Sequence, residues 1–292
     1  VNVQAGVVSL DGVLHALDQA LLPVLDRGFL YGDAVFEALR TFAGEPDALA
    51  RHVARLVRSC GIVGIELGVS EAELARDVQR AVAAVPSVER YIRIVVTRGD
   101  LPDGLAARGA HRARRVVIVR PLSEPAPSLY ESGIRVTSCA APISTLTAGA
   151  KPAGYLNNML AMARAHANGT DDALLLGAYG ELLEGATSSV FLVQAGSVVT
   201  PPLALGILPG ITRERVIAAA QHLGISVRER LVTIQDAYRA EELFLTSSVR
   251  QVVGVVAVDG VSIGDALPGT LTRKIAAQFR AELSLDPAHS AG

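Results

Sequence analysis

Lysine is scarce in this chain: 27 residues are Lys or Arg, and only Lys151 and Lys274 are lysines. Lysine offers what arginine cannot, an amine that loses its proton when desolvated or set near positive charge and then attacks a carbonyl to form a Schiff base. Lys151 stands in "LTAGAKPAGYLNNMLAMARAHANG", residues 146–169. It precedes a segment whose Leu156, Met159, Leu160 and Ala163 recur at helical spacing and are expected to face inward, with Arg164 and His166 elsewhere. The positive end of that helix, together with burial, would favour a neutral amine. On this stretch alone, a loop lysine at the surface is the more economical reading.

Three other stretches bear on the choice. "LPGITRERV" sets Gly210, Ile211 and Thr212 at a helix start, where free N–H groups and the helix dipole suit an anion; a simple helix cap is the alternative. "LFLTSSVRQ" delivers Thr246, Ser247 and Ser248 directly after an apolar strand, as hydroxyl donors or as an ordinary turn. "LLEGATSSVFLV" places Glu184 between apolar and small residues, where a carboxylate needs a cationic partner unless it faces solvent. An amine, a phosphate cradle and a carboxylate able to hold a protonated ring nitrogen are the parts that pyridoxal 5'-phosphate requires.

The elements that must position these groups can be read coarsely. "GVVSL", "VLHAL" and "LLPVL" read as strands joined by tight turns, and "YGDAVFEALRTFAGEP" continues that style. Leu49, Val53, Leu56, Val57 and Cys60 mark the buried stripe of a helix, which leaves Arg51, Arg55 and Arg58 on a solvated face. Ser70 and Glu73 form a capping box ahead of a second helix. "RYIRIVVTRG" and "RRVVIVR" read as strands, with Tyr91 and Arg93 on one face and Arg98 on the other. The Pro- and Ser-rich residues 120–128 suggest a linker between domains at 1–119 and 129–292. Beyond it come a strand at "GIRVTSC", helices at 154–168, 210–223 and 268–285, a series of strands over 171–202 broken at Tyr179-Gly180 and Ala195-Gly196, and strands at 241–245 and 251–258. Both halves mix strands and helices without regular alternation, an α+β or α/β composition.

At 292 residues and 50% hydrophobic, the chain can build two cores. A net charge of −2 offers no broad basic field, so neither nucleic acid nor membrane is an expected partner. The start lacks the pattern of a secretory signal, and the expected location is cytoplasmic. Cys60 and Cys139 form no CxxC and no ligand cluster, so no metal is expected. P-loop, GxGxxG, GxSxG and HExxH motifs are absent.

Taken in order, "DRGFLYGDAVFEALR", "RHVARL", "KPAGYLNNMLA", "EGATSSVF", "LPGITR" and "LTSSVRQVVGV" cover nearly the whole chain. They resemble the fold type IV pyridoxal-phosphate enzymes, which include D-amino-acid aminotransferases, branched-chain aminotransferases and aminodeoxychorismate lyases. The resemblance implies a two-domain fold of D-amino-acid aminotransferase type with its active site at the domain interface. It makes Lys151 the Schiff-base lysine and proton carrier and Glu184 the partner of the ring nitrogen. Arg51, Ile211, Thr212 and Ser248, with Ser247 less surely, match the phosphate binders. It implies ping-pong transamination between small-molecule amino acids and 2-oxo acids in a homodimer, with Tyr31 reaching across. Tyr31, Phe36, Arg40, Tyr91, Arg93 and Tyr155 are candidates for the substrate pocket, each with a structural role as the alternative.

Within the family, the lyases typically carry a threonine where this chain has Ala38, after Glu37 as in the aminotransferases, so a transaminase is favoured over a lyase. The "YIR" of residues 91–93 resembles branched-chain enzymes. "KPAGYLNN" lacks their usual extra residue and leans toward the D-amino-acid type, although the Arg-x-His carboxylate trap typical of that type does not follow Thr97-Arg98-Gly99. A D-amino-acid transaminase with an atypical trap is narrowly favoured, with a branched-chain L-amino-acid transaminase next. A relative acting only as a binding protein is the non-enzymatic reading, and the presence of both Lys151 and Glu184 weighs against it.

Overall fold

The computed structural model describes residues 6–100, 112–141 and 143–285. The chain forms two compact units. Of the described residues, one unit holds those up to Ser123 together with Ala150–Gly154, and the other holds those from Glu124 to Gly149 and from Tyr155 to Leu285. The change of unit at Ser123 falls inside the Pro-rich 120–128 segment. The short stretch bearing Lys151 packs with the first unit, whereas the sequence had grouped it with the residues after 128.

In the first unit, β1 (Val7–Leu10), β2 (Val13–Ala16), α1 (Arg27–Tyr31), β3 (Ala34–Phe42), β4 (Glu45–Pro46), α2 (Leu49–Val63), α3 (Glu71–Ala83), β5 (Arg90–Thr97) and β6 (Arg114–Pro121) follow in order. The strands form one sheet, β2-β1-β6-β5-β3-β4, antiparallel throughout. Alternation along β3 and β5 sends Val35, Leu39, Ile92, Ile94 and Val96 into a core with Val53, Leu56, Leu74 and Val78 from α2 and α3. The capping box holds: Ser70 and Glu73 exchange side chain to backbone hydrogen bonds at the start of α3. "LLPVL" forms no strand, and Leu21, Leu22, Val24 and Leu25 are exposed. Its apolar residues satisfy a strand pattern, yet no neighbouring strand offers them a ladder.

The second unit runs α4 (Ser128–Glu131), β7 (Ile134–Ala140), α5 (Leu156–Ala167), β8 (Asp172–Leu176), β9 (Leu182–Gly185), β10 (Ser189–Gln194), β11 (Ser197–Thr200), α6 (Ile211–His222), β12 (Val227–Glu229), α7 (Ile234–Tyr238), β13 (Glu242–Ser247), β14 (Gln251–Val258), β15 (Val261–Ser262) and α8 (Thr270–Leu285). Its mixed sheet has the order β12-β11-β10-β13-β14-β7-β8-β9, with β15 on β14. Phe191 and Phe244, cross-strand partners on β10 and β13, stack at a centroid distance of 5.0 Å.

The orientation of α5 corrects the sequence reading. Leu156, Met159, Leu160 and Ala163 point to solvent, and Ala161 and Ala165 are the buried residues. They pack with Cys139, Ala173, Leu175 and Ala186. Small side chains let the helix approach the sheet closely, a face that hydrophobic spacing alone does not distinguish from the bulkier one. Among the described residues, no helix is long and apolar enough to cross a membrane.

Candidate active site

Lys151 lies in an extended stretch along the edge of β3, and α5 opens only at Leu156. Phe36 N–H donates to the Lys151 carbonyl at 3.0 Å, and Ala153 N–H to the Ala34 carbonyl at 2.8 Å. Val35 and Pro152 form the bridge between these two bonds. The Lys151 N–H itself donates to Ser59 Oγ on α2 at 3.1 Å. With its backbone held on both sides, the half-buried lysine brings Nζ to 4.6 Å from the centre of the Phe36 ring.

The register of the sheet explains what surrounds it. Phe36 pairs with Val95, Ala38 with Arg93, and Arg40 with Tyr91, so these side chains share the face opposite the core. Arg93 Cζ lies 4.1 Å from the Phe36 centroid, on the ring that Lys151 also approaches. Among the described residues the Arg93 guanidinium makes this ring contact and no ion pair. Arg40 is buried and engaged otherwise: its Nε donates to the Thr41 carbonyl, its Nη2 is 4.0 Å from the Glu89 carboxylate, and its guanidinium lies over Phe42. Tyr91 carries Arg120 over its ring. Tyr31 is exposed at the end of α1, with Arg27 over its ring. Tyr155 belongs to the second unit, at the N-cap of α5. Arg98, next to the segment where the D-amino-acid type would carry its carboxylate trap, serves the scaffold. It donates to Asp33 at 2.8 Å and to the carbonyls of Val63 and Gly64.

The face of α2 also differs from expectation. Arg51 is exposed in the first turn, but Arg55 is buried, in line with His52 and Ser59. Arg55 Nε donates to Glu37 Oε1 and its Nη2 to Glu37 Oε2, each at 2.7 Å. His52 Nδ1 lies 2.7 Å from the same Oε2. Glu37 is fully buried between Val35 and Leu39 on the core face of β3. Burial alone would raise its carboxyl, but hydrogen bonds and charge from Arg55 and His52 hold it down at about 2. Burial also pushes His52 below its ordinary value, against the opposing pull of Glu37, so the ring is neutral and donates from Nδ1. The sequence signal was present: a glutamate at a core position of an alternating strand demands a buried cation.

In the second unit, Glu184 is half-buried on β9, with the Leu208 N–H donating to its Oε2 at 3.3 Å. The α6 helix opens at Gly210 with no side chain capping it, leaving its first N–H groups to an outside acceptor. A Cβ on Gly210 would come within 2.8 Å of Ser189 Oγ, and Ser189 is the cross-strand partner of Thr246. The helix start, with Ile211 and Thr212, therefore lies against the hydroxyl-bearing ends of β10 and β13. Thr246 Oγ1 and Ser188 Oγ are buried without hydrogen-bond partners. Ser247 Oγ accepts from the Arg250 N–H at 3.3 Å and closes the turn that carries Ser248. Uncapped helix N–H groups and orphaned hydroxyls are donors of the kind a phosphate takes, and Glu184 is suited to a protonated ring nitrogen. Among the described residues no group of His, Cys, Asp and Glu is placed to hold a metal.

The buried trio sets a pH dependence. The unfolded His52 takes up a proton as pH falls through its ordinary 6.5, while the native ring resists until lower pH. The stability it contributes is thus complete above 6.5 and is lost below it, and that of Glu37 is lost as pH falls from 4.5 through about 2. Urea midpoints should drop between about pH 7.5 and 5.5, and His52→Asn should flatten that slope. An unchanged slope in the variant would contradict the assignment.

Residues 34–258, more than half the chain, match the family described as Amino-transferase class IV. The chain is 34% identical to the putative branched-chain-amino-acid aminotransferase of Methanocaldococcus jannaschii, over 94% of this chain and 95% of the relative. It is 28% identical to the D-alanine aminotransferase of Bacillus licheniformis, over 92% and 94%. Its fold superposes with a TM-score of 0.90 on the T.th. branched-chain amino acid aminotransferase complexed with N-(5'-phosphopyridoxyl)-L-glutamate, at 26% identity, covering 98% of this chain and 97% of that one. The chain has the fold type IV architecture, and it belongs to the class IV family of pyridoxal-phosphate-dependent aminotransferases.

Proposed function

We propose that this aminotransferase moves the amino group between branched-chain L-amino acids and 2-oxo acids. The observation that carries the proposal is the face around Lys151. There Arg93 offers a planar fork for a carboxylate, and its cross-strand neighbours Ala38 and Ile118, with Phe36 and Val95 beside them, are hydrocarbon. An α-amino acid with an apolar side chain has this character. Similarity to branched-chain enzymes supports the L-branched-chain reading over the D-amino-acid reading that the spacing after Lys151 had favoured.

Bound pyridoxal phosphate supplies an electron sink for the charge that develops at the substrate α-carbon. In this reading Lys151 would hold the cofactor through its amine and would carry the substrate α-proton. Glu184 would accept a hydrogen bond from the ring nitrogen. The N–H groups of Ile211 and Thr212 and the hydroxyls of Ser247 and Ser248 would hold the phosphate. Arg55, buried on the α2 face whose Ser59 fixes the Lys151 backbone, supplies the cation that the resemblance had given to the exposed Arg51. Arg93 takes the substrate carboxylate, with Tyr91, Phe36 and Tyr155 shaping the pocket and Arg40 bracing it.

A homodimer is part of the proposal. Leu21, Val24, Leu25 and Phe29 stand 65–79% exposed along one short stretch that ends near Tyr31. Apolar surface of this density favours a second copy of the chain as its cover.

Adding L-leucine to the holoenzyme should convert the cofactor to its aminated form, read as loss of the visible absorbance, and D-alanine should leave the band in place. Conversion by D-alanine alone would restore the D-amino-acid reading. Arg93→Leu should raise KM for amino acids by about ten- to hundredfold and change KM for simple amines little. Equal losses for both substrates would remove Arg93 from carboxylate binding.

A further inference from the structure

Arg55 would be an unusual ligand if left to itself. A guanidinium on a helix inside a hydrophobic core has several rotamers, and a charge withdrawn from water is costly unless its geometry is fixed by partners. Here the partners are fixed too. Glu37 is locked into the β3 ladder between Ala38 and Phe36, and its carboxylate grips Arg55 through Nε and one terminal nitrogen at once. The doubly bonded fork defines the plane of the guanidinium, not merely its position. His52, one helical turn before Arg55, adds a third bond to the shared Oε2, which stops the carboxylate from rotating. All three side chains are at least 95% buried. Replacing such an ion pair by apolar residues is often neutral or stabilising, so stability alone gives little reason for it.

We infer that Glu37 and His52 are positioning residues that orient Arg55 toward the phosphate of the cofactor. The inference rests on the proposed assignment of Arg55 to that phosphate. Neither Glu37 nor His52 touches the cofactor; each acts through the plane it imposes on the guanidinium. Their effect should therefore be confined to ligands that carry the phosphate, which separates positioning from a general contribution to the fold.

The test compares the affinity of the apoenzyme for pyridoxal phosphate and for pyridoxal, which lacks the phosphate, by absorbance titration. Glu37→Gln should weaken pyridoxal phosphate by about ten- to hundredfold and leave pyridoxal nearly unchanged. His52→Ala should show the same phosphate-specific loss to a smaller extent, and His52→Asn, which keeps an N–H donor, should recover much of it. Glu37→Asp keeps the charge in the core but draws the carboxylate back by one methylene. It should reproduce the phosphate-specific loss if Glu37→Gln does not fold. Arg55→Met is the control for the underlying assignment. If it weakens pyridoxal phosphate selectively while the Glu37 and His52 variants weaken both ligands equally or neither, the positioning role is overturned and Arg55 keeps its phosphate. If Arg55→Met shows no selective loss, the assignment of Arg55 fails, and the positioning role with it.

Discussion

The structure depends on a short backbone pairing. Residues 151–153 hydrogen-bond to Ala34 and Phe36 as an added piece of strand, while Ser59 holds the Lys151 N–H from the helix side. An amine at the end of four methylenes explores a wide volume, and fixing its Cα against a sheet edge is the least costly way to narrow it. The same pairing determines which sheet face the lysine meets. It meets the side of Phe36, Ala38 and Arg93, whereas the opposite side is filled by the hydrophobic core.

Charge is distributed around that face with a clear division of labour. Arg98 and Arg27 both bond to Asp33, whose carboxyl burial would raise but which these two guanidiniums hold below its usual range. Asp26, fully buried, accepts from the Gly28 N–H and from Thr97 Oγ1 and pairs with Arg114. These contacts tie the turn before β3 to the end of β5 and use their arginines as scaffold. Arg93, a few residues away on the same strand, is spared such partners. A buried or half-buried arginine is thus no guide to function by itself; what it is already bonded to decides.

Much of this was legible from residue types. Strand alternation places Tyr91 and Arg93 together, and Ser70 with Glu73 marks a helix start, both as in the structure; the rarity of lysine singles out Lys151 as the proposed amine. The errors share a physical cause. Periodicity defines a stripe on a helix but not what packs on it, and for α5 the close approach of Ala161 and Ala165 outweighed the larger apolar residues. For α2, the stripe reading assigned Arg55 to solvent, because the burial of a cation is decided by a partner distant in sequence. Glu37 is that partner, and its place between Val35 and Leu39 was the visible clue. The pairing of 150–154 with the first unit was not legible, since a five-residue stretch held by one isolated bridge has no pattern that distinguishes it from a loop.

Lys151 is proposed as the amine that binds the cofactor, and the chain permits a nearly binary test because its only other lysine is Lys274. The holoenzyme would be treated with borohydride, digested, and the pyridoxyl group located by mass spectrometry. The label is expected on the peptide containing Lys151. Label on Lys274, or cofactor that leaves the protein unlabelled after reduction, would contradict it.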